Sequence, residues 1–340
     1  MIELHNLSNS DIPEWDDFVQ KCENSTFYHQ IGWKNIIERT YGHKSYYIIG
    51  KEDSKIVGVL PLFLIKSRLF GSKVVSVPFG PYGGPLANDV DIRQLLVNEA
   101  IRLCKKYDAK YLELRLISNE DYGLRHGNPC TTSIINLPAT SEDLFKSFSR
   151  NKRKTIYKSQ KRDLEAKWSK ELSNFYGIYY VNMHNLGSPV HSKKFFESIL
   201  NEFPDSAKVL TVYYKDTPVY SAFYQEYRDT IINSWSSAVE DYRAYFPTDF
   251  GIWYALKYAC NKGLKYYDLG RSQPNSANLE FKRRWGAEII DLNYRYYFNK
   301  VDNTGLESDS SKRNMFENIW RMIPLPLANK IGPLIRRHFP

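Results

Sequence analysis

The feature that most constrains this chain is a repeat. "KYDAKYLELR", from Lys106 to Arg115, returns as "NKGLKYYDLG" from Asn261 to Gly270, so that Lys110, Tyr111 and Leu114 match Lys265, Tyr266 and Leu269, with Glu113 opposite Asp268. Each copy closes a similar run of elements. In the first, "SYYIIGKEDSKIVGVLPLFLIKS" reads as a hairpin turning at Lys51–Lys55, "KVVSVPFGPYGGPLAN" as a strand entering a Pro/Gly turn, and "DIRQLLVNEAIRLCKKYDA" as a helix. In the second, "AKVLTVYYKDTPVYSAFYQEYRDTIINSWSSA" gives three strands split at Lys215–Thr217 and Arg228–Thr230, followed by the helix "TDFGIWYALKYACNKGL". Two helices, "DIPEWDDFVQKC" and "QIGWKNIIERTYG", precede the first copy. A short identity inside a matching order of helix, hairpin, strand, helix and strand means duplication of an α/β unit.

A chain of 340 residues has room for two such units. Its apolar and charged fractions, 42% and 25%, are those of a globular protein. Tyrosine is abundant at 26 residues, which suits polar clefts as well as dry core, because the ring packs while the hydroxyl needs a partner. The net charge of +9 points to an anionic partner: nucleic acid, phosphate or a membrane surface. Cys22, Cys104, Cys130 and Cys260 are scattered without a CxxC pair, so neither a disulfide framework nor a zinc knuckle is expected. The opening "MIELHNLSNSDIPEW" is unlike a secretory signal, and no window approaches the roughly 20 apolar residues of a membrane span. The expectation is a reduced, cytoplasmic protein.

Between the copies, Lys146 to Arg162 holds eight Lys or Arg and no acid over seventeen positions. Leu144, Phe148 and Ile156 fall at multiples of four, so the segment reads as a helix with one apolar seam and a basic face. It is either a solvated linker or an anion-binding arm for a phosphate-bearing substrate or RNA, and the complete absence of acids favours the arm. Beyond Val301 a polar linker, "DNTGLESDSSKRN", leads to "MFENIWRMIPLPLANKIGPLIRRHFP". There Ile319, Trp320, Ile323, Leu327, Ile331, Leu334 and Ile335 are expected to line one side, amid Arg321, Lys330, Arg336 and Arg337. Two readings stand: a tail packed on the protein's own surface, or interfacial contact with a membrane.

The chain has no GxSxG elbow, HExxH pair or GxxxxGK[ST] loop. "FGPYGGP" has flanking prolines and no helix immediately after it, so it reads as a turn and not a phosphate cradle. His184 and His191 straddle Gly187-Ser188-Pro189 and share no helical face. No metal or redox cofactor is expected.

"YYDLG" followed by "FKRRWG", together with "FYHQIGW", "YGGP", "SRNKRKTIYKSQK" and "DYRAYFPTDFGIWYAL", resembles the FemABX-like family of aminoacyl and peptidyl transferases within the GNAT acyltransferase superfamily, which includes BioF2-like members. The resemblance spans nearly the whole chain. It implies an α/β (α+β) fold of two tandem GNAT-like acyl-CoA N-acyltransferase folds, with mixed sheets flanked by helices. The first domain would occupy 1–140, a basic connecting helix 141–170, the catalytic domain 171–300, and a linker with an amphipathic tail 301–340. The activity implied is amide formation on an amine of a cell-envelope precursor, either a peptidoglycan peptide or a lipid-linked saccharide of exopolysaccharide type.

In the family the Lys of the "FK" motif faces the reacting carbonyl or acceptor phosphates, a role that falls here on Lys282, beside Phe281. Acyl transfer to an amine passes through a tetrahedral oxyanion, and a fixed donor aimed at it contributes about 3–4 kcal/mol. Arg271 could orient the acceptor through a bidentate contact. Trp235, Tyr242, Tyr245 and Phe246 would wall the cleft, and Arg153 belongs to the basic arm. Asp268 is a conceivable base, although a structural role is the better reading. Family members also hold acceptor phosphates near the "GW" helix, where Lys34 lies beside the expected place. His191 stands where a user of nucleotide sugars offers Arg, and both departures argue against a UDP-muramyl-peptide acceptor. Acetyl-CoA users of the fold carry a glycine loop, R/Q-x-x-G-x-G/A, before the helix that binds the pyrophosphate. "DYRAYFPTDFGIW" lacks it, and Pro247 removes a donor. The resemblance therefore implies an aminoacyl-tRNA donor. A CoA-dependent N-acyltransferase is the alternative, and a non-catalytic RNA- or membrane-surface adaptor a third.

Overall fold

The computed structural model describes residues 1–67, 71–300 and 310–339. Most of the polar linker read from the sequence, 301–309, lies outside the described residues. Internal contacts divide the chain into one unit of Met1–Cys130, Asp291–Asp309 and Arg336–Pro340, and a second of Thr131–Ile290 and Ser310–Ile335.

The first unit runs β1 (Glu3–Asn6), α1 (Ile12–Lys21), α2 (Ile31–Tyr41), β2 (Lys44–Ser45), β3 (Ile48–Glu52), β4 (Lys55–Leu60), β5 (Phe63–Ile65), β6 (Lys73–Val75), β7 (Leu86–Ala87), α3 (Val90–Lys106), β8 (Tyr111–Leu116) and β9 (Arg125–His126). Strands β1, β3, β4 and β7 form one sheet in that order, and β8, β6, β5 and β2 lie adjacent in a second. In the second sheet β6 and β8 run parallel, Val74 against Leu112 and Val75 against Glu113, and then diverge. The chain's own "FGPYGGP" loop occupies the divergence. Gly83 N–H donates to Arg115 O at 2.8 Å, and Arg115 Nη1 donates to Val77 O at 3.1 Å and Gly80 O at 2.7 Å. Buried Glu113 neutralises that guanidinium through Nε at 2.7 Å. A Cβ at Gly83 would lie 2.6 Å from Val77 Cγ1, so any side chain there would have to displace Val77.

The second unit runs β10 (Cys130–Asn136), α4 (Ser141–Ser147), α5 (Arg150–Gln160), β11 (Leu164–Ser169), α6 (Ser173–Asn185), α7 (Lys193–Glu202), β12 (Ala207–Tyr214), β13 (Thr217–Tyr227), β14 (Thr230–Ala238), α8 (Pro247–Asn261), β15 (Tyr266–Asp268) and α9 (Ala277–Arg283). Its sheet order is β11-β12-β13-β14-β15-β10, antiparallel except for β14 and β15. Successive strand residues point to opposite faces. Tyr220, Ala222 and Tyr224 of β13 therefore join Ile156, Ile252, Leu256 and Trp285 in one core. Phe223 turns the other way, onto Phe175 of α6 and Phe196 of α7.

The basic segment is not one helix. It breaks at Phe148, whose backbone is extended (ψ 149°), because Ser149 starts a new helix by accepting the Lys152 N–H at 3.3 Å. Leu144, Phe148 and Ile156 nevertheless share one core, and β11 adds an edge strand against β12.

After α9 the chain enters β16 (Glu288–Phe298), whose residues Asn293–Phe298 pair with β8 in the first unit's sheet. It ends in α10 (Ser310–Met322) and α11 (Leu325–Arg336), separated at Pro324. The tail packs on its own unit. His184 Nε2 bonds Ile323 O at 2.8 Å, Arg321 Nε donates to Asn185 O at 3.0 Å, and Tyr176 OH donates to Asn329 Oδ1 at 3.0 Å. The apolar residues expected on one side divide: Trp320 is buried, whereas Ile319, Leu327 and Leu334 are exposed. Among the described residues no helix is long and apolar enough to cross a membrane, and all four cysteines are free thiols.

Candidate active site

The site begins where β14 and β15 part. They pair from Thr230–Tyr266 to Ile232–Asp268, after which β15 stops while β14 continues to Ala238. Register against β13 shifts here, Tyr224 opposite Asn233 and Phe223 opposite Trp235, leaving Ser234 as an extra residue that bends the strand. On the other side Asp268, fully buried, accepts the Gly270 N–H at 2.7 Å and the Thr132 hydroxyl at 2.9 Å. That turn needs the left-handed φ of +76° at Gly270, which a residue with a side chain adopts only under strain.

Helix α9 then delivers Lys282 beneath the turn. Ser276 caps the helix by accepting the Leu279 N–H at 3.2 Å, and buried Leu279 and Trp285 fix its roll. The Lys282 Nζ donates to Gly270 O at 2.7 Å and to Arg271 O at 3.1 Å, and the residue is 5% exposed. Burial pulls its pKa down to about 8, with Asp268 opposing the shift and Arg271 adding to it. Arg271 itself is exposed. Such an ammonium offers a partly desolvated positive charge that can be given up close to neutral pH.

A polar group not singled out from the sequence lies in the same sheet. The hydroxyls of Tyr224 and Tyr267 are 2.8 Å apart, and Asn233 Nδ2 donates to both at 3.3 Å. The Tyr220 hydroxyl and Asn233 Oδ1 are buried without a hydrogen-bond partner of good geometry among the described residues. Burial pushes the Tyr220 phenol up to about 12, opposed by nearby Tyr224, Asn233 and Ser236. Buried polar atoms left open in this way are uncommon in native proteins. Their signal in the sequence was the tyrosine excess, with Tyr220 and Tyr224 at even spacing on one strand face.

The other expected residues gather in separate places. Trp235 packs with His191 (5.9 Å), Phe195 and Phe196 against α7, and His191 is buried, stacked on Phe195 at 4.5 Å. Tyr242 and Tyr245 cluster on Tyr214 at 5.9 and 4.4 Å. Phe246 takes a left-handed φ of 59° and leads into α8. Phe281 lies against Lys152, whose ammonium is 5.3 Å from its ring centre and 4.1 Å from that of Trp285. Lys152 in turn holds Asp249, in the first turn of α8, at 2.7 Å. Lys34 belongs to the first unit and pairs with Glu38 at 3.0 Å. Arg153 lines an open hollow on α5 with Arg150, Lys154, Lys158 and Lys161, and Tyr157 stands exposed among them.

Residues 149–283, from the start of α5 to the end of α9, match the family described as "Acetyltransferase (GNAT) domain". This segment is a GNAT acyltransferase domain. No curated protein matches the chain in sequence. Among solved structures, that of FemX has a TM-score of 0.66 at 14% identity, covering 93% of this chain and 100% of FemX. A tandem GNAT protein from the clavulanic acid biosynthesis pathway has a TM-score of 0.57 at 9% identity, covering 89% and 100%. The C-terminal domain of a protein assigned as a lysylphosphatidylglycerol synthetase from Agrobacterium fabrum has 0.56 at 11%, covering 91% and 96%. At these identities the likeness is one of fold, and it extends the GNAT architecture over both units. The tandem fold read from the sequence holds, and residues 149–283 bear out its GNAT part.

Proposed function

We propose that this GNAT acyltransferase forms an amide on an amine of a cell-envelope precursor, with Lys282 as the group that stabilises the oxyanion. The observation that carries the reading is the buried Lys282 ammonium at the point where β14 and β15 diverge. The acceptor nitrogen attacks the acyl carbonyl carbon, and the carbonyl π electrons move to oxygen. The negative charge so formed is met by the ammonium, worth about 3–4 kcal/mol in a dry setting. Collapse expels the donor's oxygen or sulfur, which leaves with the proton lost by the amine. Binding at Lys282 would exchange its bonds to Gly270 O and Arg271 O for one to the oxyanion.

For the donor we favour aminoacyl-tRNA over acyl-CoA. Pro247 opens α8 without an N–H, so the start of that helix offers a diphosphate one backbone donor fewer. The basic hollow of α5 suits RNA phosphates, and Tyr157 offers a stacking face. Likeness to a lysylphosphatidylglycerol synthetase, named for an aminoacyl lipid, supports a lipid-linked acceptor, with the enzyme working from the cytoplasm at the inner face of the membrane.

The test supplies charged tRNA and acyl-CoA in parallel, each labelled in the acyl group, with a cell-envelope extract as acceptor. Label moving from tRNA alone is the expected result. Transfer from CoA alone overturns the donor assignment, and transfer from neither favours a non-catalytic adaptor.

A further inference from the structure

We propose that α10 and α11 form a docking surface for an anionic lipid bilayer. Their inner face is committed to the protein: Trp320, Ala328 and Gly332 are buried. Gly187 approaches so closely that a Cβ on it would lie 2.7 Å from Glu317, and one on Gly332 would lie 3.0 Å from Val190 Cγ2. The helices therefore cannot roll to bury a different stripe.

The opposite stripe is apolar and exposed. Met315, Ile319 and Met322 follow one helical face of α10 at i, i+4 and i+7, and Leu327 and Leu334 repeat the seven-residue spacing on α11. Met322 is 83% and Leu334 62% exposed. Of fifteen large hydrophobic residues exposed among the described residues, seven lie between Met315 and Phe339, so the surface is concentrated and not scattered.

Charge selects the occupant. Residues 310–340 carry six Lys or Arg against one acid, Glu317. A second copy would bring the same positive segment against itself, whereas anionic headgroups are attracted to it. Short amphipathic helices of this kind lie in the interface plane. Lys330, exposed between Leu327 and Leu334, is placed to reach the headgroups. The inference rests on the proposed function only for why an acyltransferase would need a bilayer.

The experiment sediments the full chain with vesicles of phosphatidylcholine alone and with phosphatidylglycerol added. Binding is expected only to the second, reduced about 10-fold or more in the combined variant Ile319→Gln, Met322→Gln, Leu327→Gln and Leu334→Gln, with an unchanged thermal midpoint because these side chains already face solvent. Equal binding by parent and variant overturns the proposal, as does no binding to either vesicle. A parent that dimerises through these residues and ignores vesicles overturns it in favour of a second copy. Lys282→Ala should bind vesicles like the parent, which separates failure here from failure of the proposed chemistry.

Discussion

The Lys152 ammonium lies 2.7 Å from Asp249 and 4.1 Å above the centre of the Trp285 ring, tying the basic helix α5 to the first turn of α8. Both charges are largely buried, so removing one leaves the other unpaired. Lys152→Met should cost about 3–5 kcal/mol of stability, and adding Asp249→Leu should restore much of it. Denaturant unfolding of the two single variants and the double variant checks this. Additive losses would show that the two residues do not act as a pair.

Lys282→Ala should lower turnover about 100-fold or more, with secondary structure and thermal midpoint near those of the parent. Parallel measurement of kcat and of unfolding separates lost chemistry from a lost fold. Equal turnover would remove Lys282 from the mechanism.

The depressed pKa of Lys282 has consequences with pH. If the ammonium acts, the rate should fall as pH rises through about 8, and Lys282→Arg should carry whatever activity it retains to higher pH. Stability moves the other way. Between about 8 and the ordinary lysine value of 10.5 the unfolded chain binds more protons than the folded one, so this group's contribution to stability increases with pH across that window. A pH series of activity and of denaturant midpoints tests both signs.

His29 predicts acid sensitivity in the first unit. It is fully buried, its Nε2 bonds Gly84 O at 3.0 Å, and its Nδ1 accepts the Thr26 N–H at 3.0 Å. Burial pulls its pKa to about 4, so stability should decline as pH falls from 6.5 towards 4. His29→Gln should lose part of that slope in an acid titration followed by circular dichroism.

On α5, replacing Arg153, Lys154 and Lys158 together by Ala should weaken tRNA binding and reduce its salt dependence by about two to three charges. Stability should change by only about 0.5 kcal/mol per site, since the hollow is open to solvent. Fluorescence anisotropy across a salt series gives both quantities. An unaltered slope would assign the basic helix to solvation alone.

The strands, the hairpins and the duplicated order were legible because alternation and turn chemistry are local. Lys215 and Arg228, at the two expected turns, both take positive φ. The break at Phe148 was hidden because the apolar residues on both sides of it enter the same core and keep the helical spacing. Lys282 was singled out through the short "FK" motif, whereas the grouping around it was not legible. Lys152 and Asp249 are 97 residues apart, and one register shift in β14 decides that Asn233 meets Tyr224 while Trp235 joins His191. Pairings of that kind depend on strand register and helix roll, which composition and spacing do not encode.

In the repeated strand, Glu113 and Arg115 stand where Asp268 and Gly270 stand in the later copy. One copy stitches its parted strands shut with a guanidinium of its own, and the other has only a hydrogen at that place and borrows an amine from a neighbouring helix. Where Arg115 fills the parting of its strands by donating to Val77 O and Gly80 O, the carbonyl of Gly270 is left to accept a hydrogen bond from Lys282, so the charge at this place comes from another stretch of chain and a substitution at 282 removes it without touching the strand.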